Sequence, residues 1–185
     1  MKNILNIIGL ILSTYFTAQT VSLETMAQCI PGSCPTTTYV KDVNNLLDKY
    51  VGTWKGSLNG KNYEFNFIKR ENFGFEDNLK RDRLIGRLKI TNSNGIVEYD
   101  NFAKQDNKLD FYGMNFQKDL KVYLVYFSGG KIDCIDSGYT YLRIKPETPN
   151  NMSILFLPDT DIVTQDCTNF KTTIPTEKLI NLIRQ

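Results

Sequence analysis

The residues best suited to chemistry are carboxylates, because the chain contains no histidine. Without histidine, serine–histidine and cysteine–histidine nucleophiles and imidazole-based zinc sites are excluded. Glu71, Glu76 and Asp77 flank an aromatic loop, and two carboxylates that face each other across a cleft can hydrolyse glycosides. The sequence indicates no such cleft, so we predict no catalytic residues and no enzyme. A carboxylate-based hydrolase is the enzymatic alternative.

A second group of acids, Asp159, Asp161 and Asp166, follows Pro158. Clustered carboxylates and loop carbonyls can bind calcium, but an EF-hand loop needs a glycine at its sixth position and a glutamate at its twelfth. The spacing here supplies neither. We predict an exposed acidic turn, with no metal site and no cofactor.

Basic residues are numerous but almost balanced by acids. Lys and Arg total 22 against 20 Asp and Glu, for a net charge of +2, whereas nucleic-acid binding requires a strongly basic face. We therefore predict no nucleic-acid partner. A local group of five basic residues lies in the polar loop of residues 69–83 and would either attract an anion or face solvent: Lys69, Arg70, Lys80, Arg81 and Arg83.

The N-terminus has the three-part layout of a secretory signal peptide. A short positive start precedes an apolar run, Ile4 to Leu12, and a region that ends at Ala18. The apolar run is too short to span a bilayer. We predict a signal peptide over residues 1–18, and a secreted or periplasmic protein without a membrane span.

The four cysteines are Cys29, Cys34, Cys134 and Cys167. An even number of cysteines in an exported chain indicates disulfides, and four cysteines allow three pairings. We favour Cys29–Cys34, which would close a short loop, and Cys134–Cys167, which would join two late segments.

The elements that must position these residues are mainly strands. Residues 19–38 are expected to form an irregular tail, and apolar residues at three- and four-residue steps predict a helix from Tyr39 to Tyr50. After Gly52 the apolar period becomes two, and Asn59–Gly60 predicts a tight hairpin turn. Many short strands at hairpin spacing predict one all-β domain over residues 39–185, a single antiparallel barrel of about eight or more strands.

Gly52-Thr53-Trp54, placed between the predicted helix and the antiparallel strands, resembles the lipocalin and calycin pattern. In those families the tryptophan lies at the closed end of a barrel beneath a basic residue of the last strand. Leu46 to Phe67, Asp82 to Gly86 and Asn94–Gly95 also resemble a family of small secreted bacterial proteins of unknown function. The resemblance implies that Lys178 to Arg184, which fits a strand or a helix, is the closing strand, with Arg184 over Trp54.

Aromatic and aliphatic residues that alternate along the predicted strands are candidates for a ligand pocket inside such a barrel. The candidates are Trp54, Tyr63, Phe65, Phe67, Leu88, Val125, Phe127, Tyr139 and Tyr141. The resulting prediction is a monomeric exported binding protein for a small apolar ligand or a peptide. The alternative is a structural or protein-interaction module of the envelope whose core is filled by the same side chains.

Overall fold

A computed structural model describes residues 19–185 except 31, 75–78, 131–133, 162 and 164. The described part contains one α-helix, α1 (Leu23–Gln28), and two 3₁₀ helices, one at Asp48–Tyr50 that precedes the barrel and one at Asp106–Lys108. Its strands are β1 (Thr20–Ser22), β2 (Tyr39–Lys41), β3 (Gly52–Leu58), β4 (Lys61–Phe73), β5 (Lys80–Asn92), β6 (Val97–Asp100), β7 (Phe111–Phe116), β8 (Val122–Ser128), β9 (Ser137–Ile144), β10 (Asn151–Pro158) and β11 (Leu179–Arg184). The predicted signal peptide, residues 1–18, lies outside the described residues.

Eight of the strands form a closed antiparallel barrel, which confirms the predicted fold class. The order around the barrel is β5–β4–β3–β11–β10–β9–β8–β7, and β7 pairs with β5 to complete the circuit. The predicted closing strand is present as β11, where Arg184 pairs with Trp54 and Ile183 with Lys55 of β3. Strands β1, β2 and β6 extend the sheet beside β5.

Alternation of side chains along β4 shows why this sequence forms the barrel wall. Tyr63, Phe65 and Phe67 are buried, while the residues between them face outward, as a period of two requires. The preceding turn has positive φ at Asn59 (52°) and Gly60 (74°), the conformation that a type I′ hairpin needs. The predicted hairpin between β3 and β4 is therefore confirmed.

Strands β3 and β11 approach each other so closely at Gly56 that this position requires glycine. A Cβ added to Gly56 would lie 2.1 Å from the backbone oxygen of Asn181, so a side chain there would push β3 away from β11. The strand that completes the barrel depends on this residue being glycine.

The predicted helix over residues 39–50 is wrong. Residues 39–41 form β2, and only the 3₁₀ helix Asp48–Tyr50 is helical. The Asp42 carboxylate accepts hydrogen bonds from the amides of Leu46 (2.7 Å) and Leu47 (3.1 Å), and Asn45 has a φ of 54°. Side chains that bind nearby amides compete with helix formation. The apolar residues that have helical spacing therefore lie in a turn.

The segment 19–38, expected to be irregular, contains β1 and α1. The Ser22 hydroxyl caps α1 by accepting a hydrogen bond from the Thr25 amide at 3.1 Å, a strong helix-start signal. Strand β1 pairs in parallel with β2, and β2 pairs in parallel with β5. A short helix therefore does precede the barrel, but it lies earlier in the chain than predicted.

Both predicted disulfides are confirmed. Cys29 is bonded to Cys34, and Cys134 to Cys167. The second bond fixes the segment between β10 and β11, where the Asp136 carboxylate also accepts hydrogen bonds from the Thr173 amide (2.6 Å) and hydroxyl (2.7 Å). Among the described residues, no helix combines the length and apolar character needed to cross a bilayer.

Alkaline pH is expected to destabilise the fold through its enclosed tyrosines. Burial and the Asp82 carboxylate raise the pKa of Tyr39 to about 12, and burial also raises the pKa values of Tyr50 and Tyr123. An unfolded tyrosine ionises near pH 10, so the free energy of unfolding should be unaffected by these groups below that pH and fall as the pH rises from about 10 to 12. Phenolate absorbance should rise together with loss of circular dichroism. Full ionisation of an intact fold would contradict this.

Candidate functional site

Seven of the nine candidates for a ligand pocket are buried in the interior of the barrel. Six of them have no accessible surface: Trp54, Phe65, Phe67, Leu88, Val125 and Phe127; Tyr63 is 3% exposed. The rings contact one another, with centroid distances of 5.9 Å for Phe65–Phe67 and 4.7 Å for Phe111–Phe127. These six side chains therefore adjoin no space that would admit a water molecule.

Trp54 lies beneath Arg184 where β3 pairs with β11, and this contact is the one that the resemblance implies. The Arg184 guanidinium carbon lies 4.4 Å from the centre of the indole, within the range of a cation–π contact. The indole nitrogen donates to the Tyr50 carbonyl at 2.8 Å, and Arg184 donates to the carbonyls of Val51 (2.8 Å) and Lys49. Gly52, with a φ of 125°, would place an added Cβ 3.6 Å from Arg184 Nη1. This group of residues is structural.

The placement of Tyr139 and Tyr141 inside the barrel is wrong. Both lie on the outer face of β9, and Tyr139 is 38% exposed, whereas Thr140 and Leu142 between and after them are buried. Alternation identifies two faces of a strand but does not say which one points inward. In β9 the inward face carries the smaller, less aromatic residues, because the interior is already occupied by the rings of β4, β7 and β8.

The outward tyrosines belong to a continuous group on β8, β9 and β10 that we call the tyrosine patch. Register places its members in two rows of three across the strands. The rows are Leu124–Tyr141–Leu155 and Tyr126–Tyr139–Leu157. Leu157 is 37% exposed, and Leu179 of β11, which pairs with Leu155, extends the first row with 56% exposure. No charged side chain lies within the two rows.

The tyrosine patch is held in place by contacts among its own side chains. The rings of Tyr126 and Tyr139 meet edge to face with a centroid distance of 5.5 Å. The Tyr126 hydroxyl donates to the Asp159 carboxylate at 2.7 Å, and the Ser137 hydroxyl contacts the same oxygen at 3.3 Å. Asp159, a member of the predicted acidic turn, therefore orients a patch tyrosine. A fixed aromatic surface of this kind suits binding, because little side-chain freedom remains to be lost.

The sequence carries a signal for this patch that alternation alone misses. Residues 122–127 and 154–157 are continuous apolar runs, VYLVYF and ILFL. A strand with one face on the core and one in water normally alternates, and a continuous run indicates that both faces are covered. In this barrel one face covers the core and the other is partly exposed.

Comparison with known proteins places the chain in a family. Residues 1–174 match the model of a family of unknown function, DUF6705. The chain belongs to the DUF6705 family. No curated protein and no solved structure matches the chain. Family membership therefore assigns neither a ligand nor an activity to this DUF6705 member.

Of the three acidic candidates beside the aromatic loop, one lies among the described residues of the DUF6705 chain. Glu71 is exposed, and Glu76 and Asp77 lie outside the described residues. No group of three or more cysteine, aspartate or glutamate residues among those described could hold a metal ion. The Asp82 carboxylate, 1% exposed, accepts hydrogen bonds from Tyr39, the Asp42 amide and the Asn72 amide, so its role is to fix the N-terminal segment on the barrel.

The basic group near the polar loop is largely engaged in structural contacts. Lys69 forms ion pairs with Asp42 (2.8 Å) and Asp48 (3.0 Å), and Arg70 pairs with Asp106. Arg81 donates to the Met114 carbonyl at 2.8 Å. These contacts join the loop to neighbouring elements, whereas Arg83 Nε is buried without a hydrogen-bond partner among the described residues.

Proposed function

We propose that this DUF6705 member is an extracytoplasmic protein-interaction module that binds its partner through the tyrosine patch. The observation that carries the proposal is the uncharged double row of tyrosine and leucine on the outer face of β8–β10. Continuous exposed apolar patches mark interaction sites on soluble proteins, and tyrosine is enriched in protein interfaces. The barrel serves as a rigid support for this surface.

Two features support this function over binding of a small ligand inside the barrel. The six fully buried candidates in the barrel leave no space beside them, which favours recognition on the outer surface. The two disulfides suit an oxidising compartment, as does the predicted signal peptide. We therefore infer that the partner is met in the cell envelope or outside the cell, and that the module itself is monomeric.

The proposal is tested by changing the patch without touching the core. The variant Tyr139→Ser/Leu157→Ser removes two exposed members, and we expect it to retain the fold while binding of the partner weakens at least tenfold. Truncation of a tyrosine anchor at an interface commonly costs about 1–2 kcal/mol or more, and about 1.4 kcal/mol corresponds to tenfold in affinity. Affinity capture from the envelope fraction of the native host, with quantitative mass spectrometry, gives the measurement.

The matched control is Ile96→Ser/Val97→Ser, which removes two exposed apolar residues at β6, 61% and 47% exposed. We expect this variant to capture the same proteins as the unmodified chain. Equal capture by all three baits would refute the proposal. Native mass spectrometry of the freshly purified protein should show a monomer without an adduct, and a retained apolar molecule would instead indicate an occupied interior.

A further inference from the structure

A basic cleft adjoins the tyrosine patch near the Trp54 end of the barrel. It has a volume of about 620 Å³, within the range of small-molecule sites. Four cations line it: Lys49, Lys121, Arg143 and Lys145. Lys49 belongs to the first 3₁₀ helix, Lys121 to the β7–β8 turn, and Arg143 follows Tyr141 on the outer face of β9. Separate parts of the chain thus bring like charges to one concave surface.

These four cations are among the lysine and arginine residues that no carboxylate neutralises. Within the described part of the chain, seven others form ion pairs, such as Lys61–Glu98 (2.6 Å), Lys104–Asp110 (2.7 Å) and Arg87–Asp106 (2.7 Å). Within the described residues, none of the four cleft cations has an ion pair.

Two acids lie near cleft residues in the chain, but neither lines the cleft. Asp48, next to Lys49, is paired with Lys69, and Asp119 accepts a hydrogen bond from the backbone amide of Lys121 at 3.1 Å. Glu147 is the single carboxylate that lines the cleft, which leaves an excess of three positive charges there. Like charges that converge without counter-charges repel one another, so an anionic ligand would relieve this repulsion.

Lys49 is held in position independently of any ligand. Its ammonium lies 5.1 Å from the centre of the Tyr50 ring and 5.9 Å from that of Phe116. Partial burial lowers its pKa. Leu120 and Pro146 supply apolar surface beside the charges, and this surface suits the carbon framework of an organic anion.

We propose that this cleft is a binding site for a small organic phosphate, such as a phosphorylated sugar. A phosphate monoester carries nearly two negative charges at neutral pH and three acceptor oxygens, which matches the charge excess of the cleft. Lysine ammonium groups bind phosphate as point charges, and the apolar residues contact the sugar. This site is separate from the tyrosine patch and does not depend on the function proposed for that patch.

The test is a titration of the full chain with glucose 6-phosphate at low salt, followed by amide NMR signals, with glucose as the neutral control. We expect shifts confined to residues around Lys121, Arg143 and Lys145, none with glucose, and weaker binding at about 0.15 M salt, where screening acts over about 8 Å. The variant Lys121→Gln/Arg143→Gln/Lys145→Gln should bind about tenfold more weakly, since three surface charge contacts add to roughly that factor.

The matched control removes the same charge from paired cations on another face. Lys55, Lys61 and Lys89 pair with Glu64, Glu98 and Asp100, so Lys55→Gln/Lys61→Gln/Lys89→Gln should leave the affinity within about twofold if long-range charge contributes little. The proposal is overturned if glucose 6-phosphate shifts no signals, or if both triple variants lose affinity equally, since equal loss would indicate attraction by net charge alone.

Discussion

Trp54→Ala is expected to lower the free energy of unfolding by about 3–5 kcal/mol, the usual effect of truncating a buried tryptophan. The indole is fully buried, its nitrogen donates to the Tyr50 carbonyl at 2.8 Å, and Arg184 covers its face. Its removal would leave a cavity, an unpaired carbonyl and an arginine without its aromatic partner at the seam between β3 and β11. Urea denaturation followed by circular dichroism measures the change.

Trp54→Phe is the matched control, because phenylalanine keeps an apolar ring beneath Arg184 but cannot donate to Tyr50. Its loss should be clearly smaller than that of Trp54→Ala. If the alanine variant lost less than about 1 kcal/mol, a loss typical of the far milder isoleucine-to-valine substitution, Trp54 would not be the residue that stabilises the seam between β3 and β11.

Loss of the Cys134–Cys167 disulfide is expected to have the next largest effect. The bond joins residues 33 positions apart, and for a loop of this length the chain-entropy model gives a stabilisation of about 3–4 kcal/mol. The double variant Cys134→Ser/Cys167→Ser should show this loss in denaturation experiments under non-reducing conditions.

The Cys29–Cys34 disulfide provides an internal control for that measurement. Cys29 and Cys34 are only 5 positions apart, so the same model gives about 2 kcal/mol for Cys29→Ser/Cys34→Ser. If the short-loop variant were the less stable of the two, restriction of the unfolded chain could not be the main contribution, and native contacts around Cys29 would have to explain the result.

Local signals predicted those parts of the fold that depend on backbone chemistry. Asn59–Gly60 forms the hairpin turn that its two residues favour, and Gly52-Thr53-Trp54 opens the first barrel strand. The closing strand and the stacking of Arg184 on Trp54 came from the resemblance. The helix predicted over residues 39–50 does not form because the Asp42 side chain accepts hydrogen bonds from two backbone amides. The spacing of apolar residues does not reveal this arrangement.

The functional surface was harder to predict than the barrel. Tyr139 and Tyr141 were predicted to face the interior because they are aromatic, but the face of β9 that points inward carries Thr140 and Leu142 instead. Which face of β9 points inward depends on how much volume the rings of β4, β7 and β8 already occupy, and only the assembled core determines that. The basic cleft likewise joins turns that are distant in the chain, so no local spacing indicates it.

The pairing of β11 with β3 also determines when the protein can mature. Trp54 and Arg184 are neighbours in the barrel, yet every other strand is synthesised between them or before them. A nascent chain therefore cannot complete its fold until residue 184 has left the ribosome, and until then the edges of β3 and β10 are open to pairing with other chains. Such long-range pairing is slow. Chaperones that shield these two edges during synthesis should consequently raise the yield of native protein more than those that act on the finished barrel.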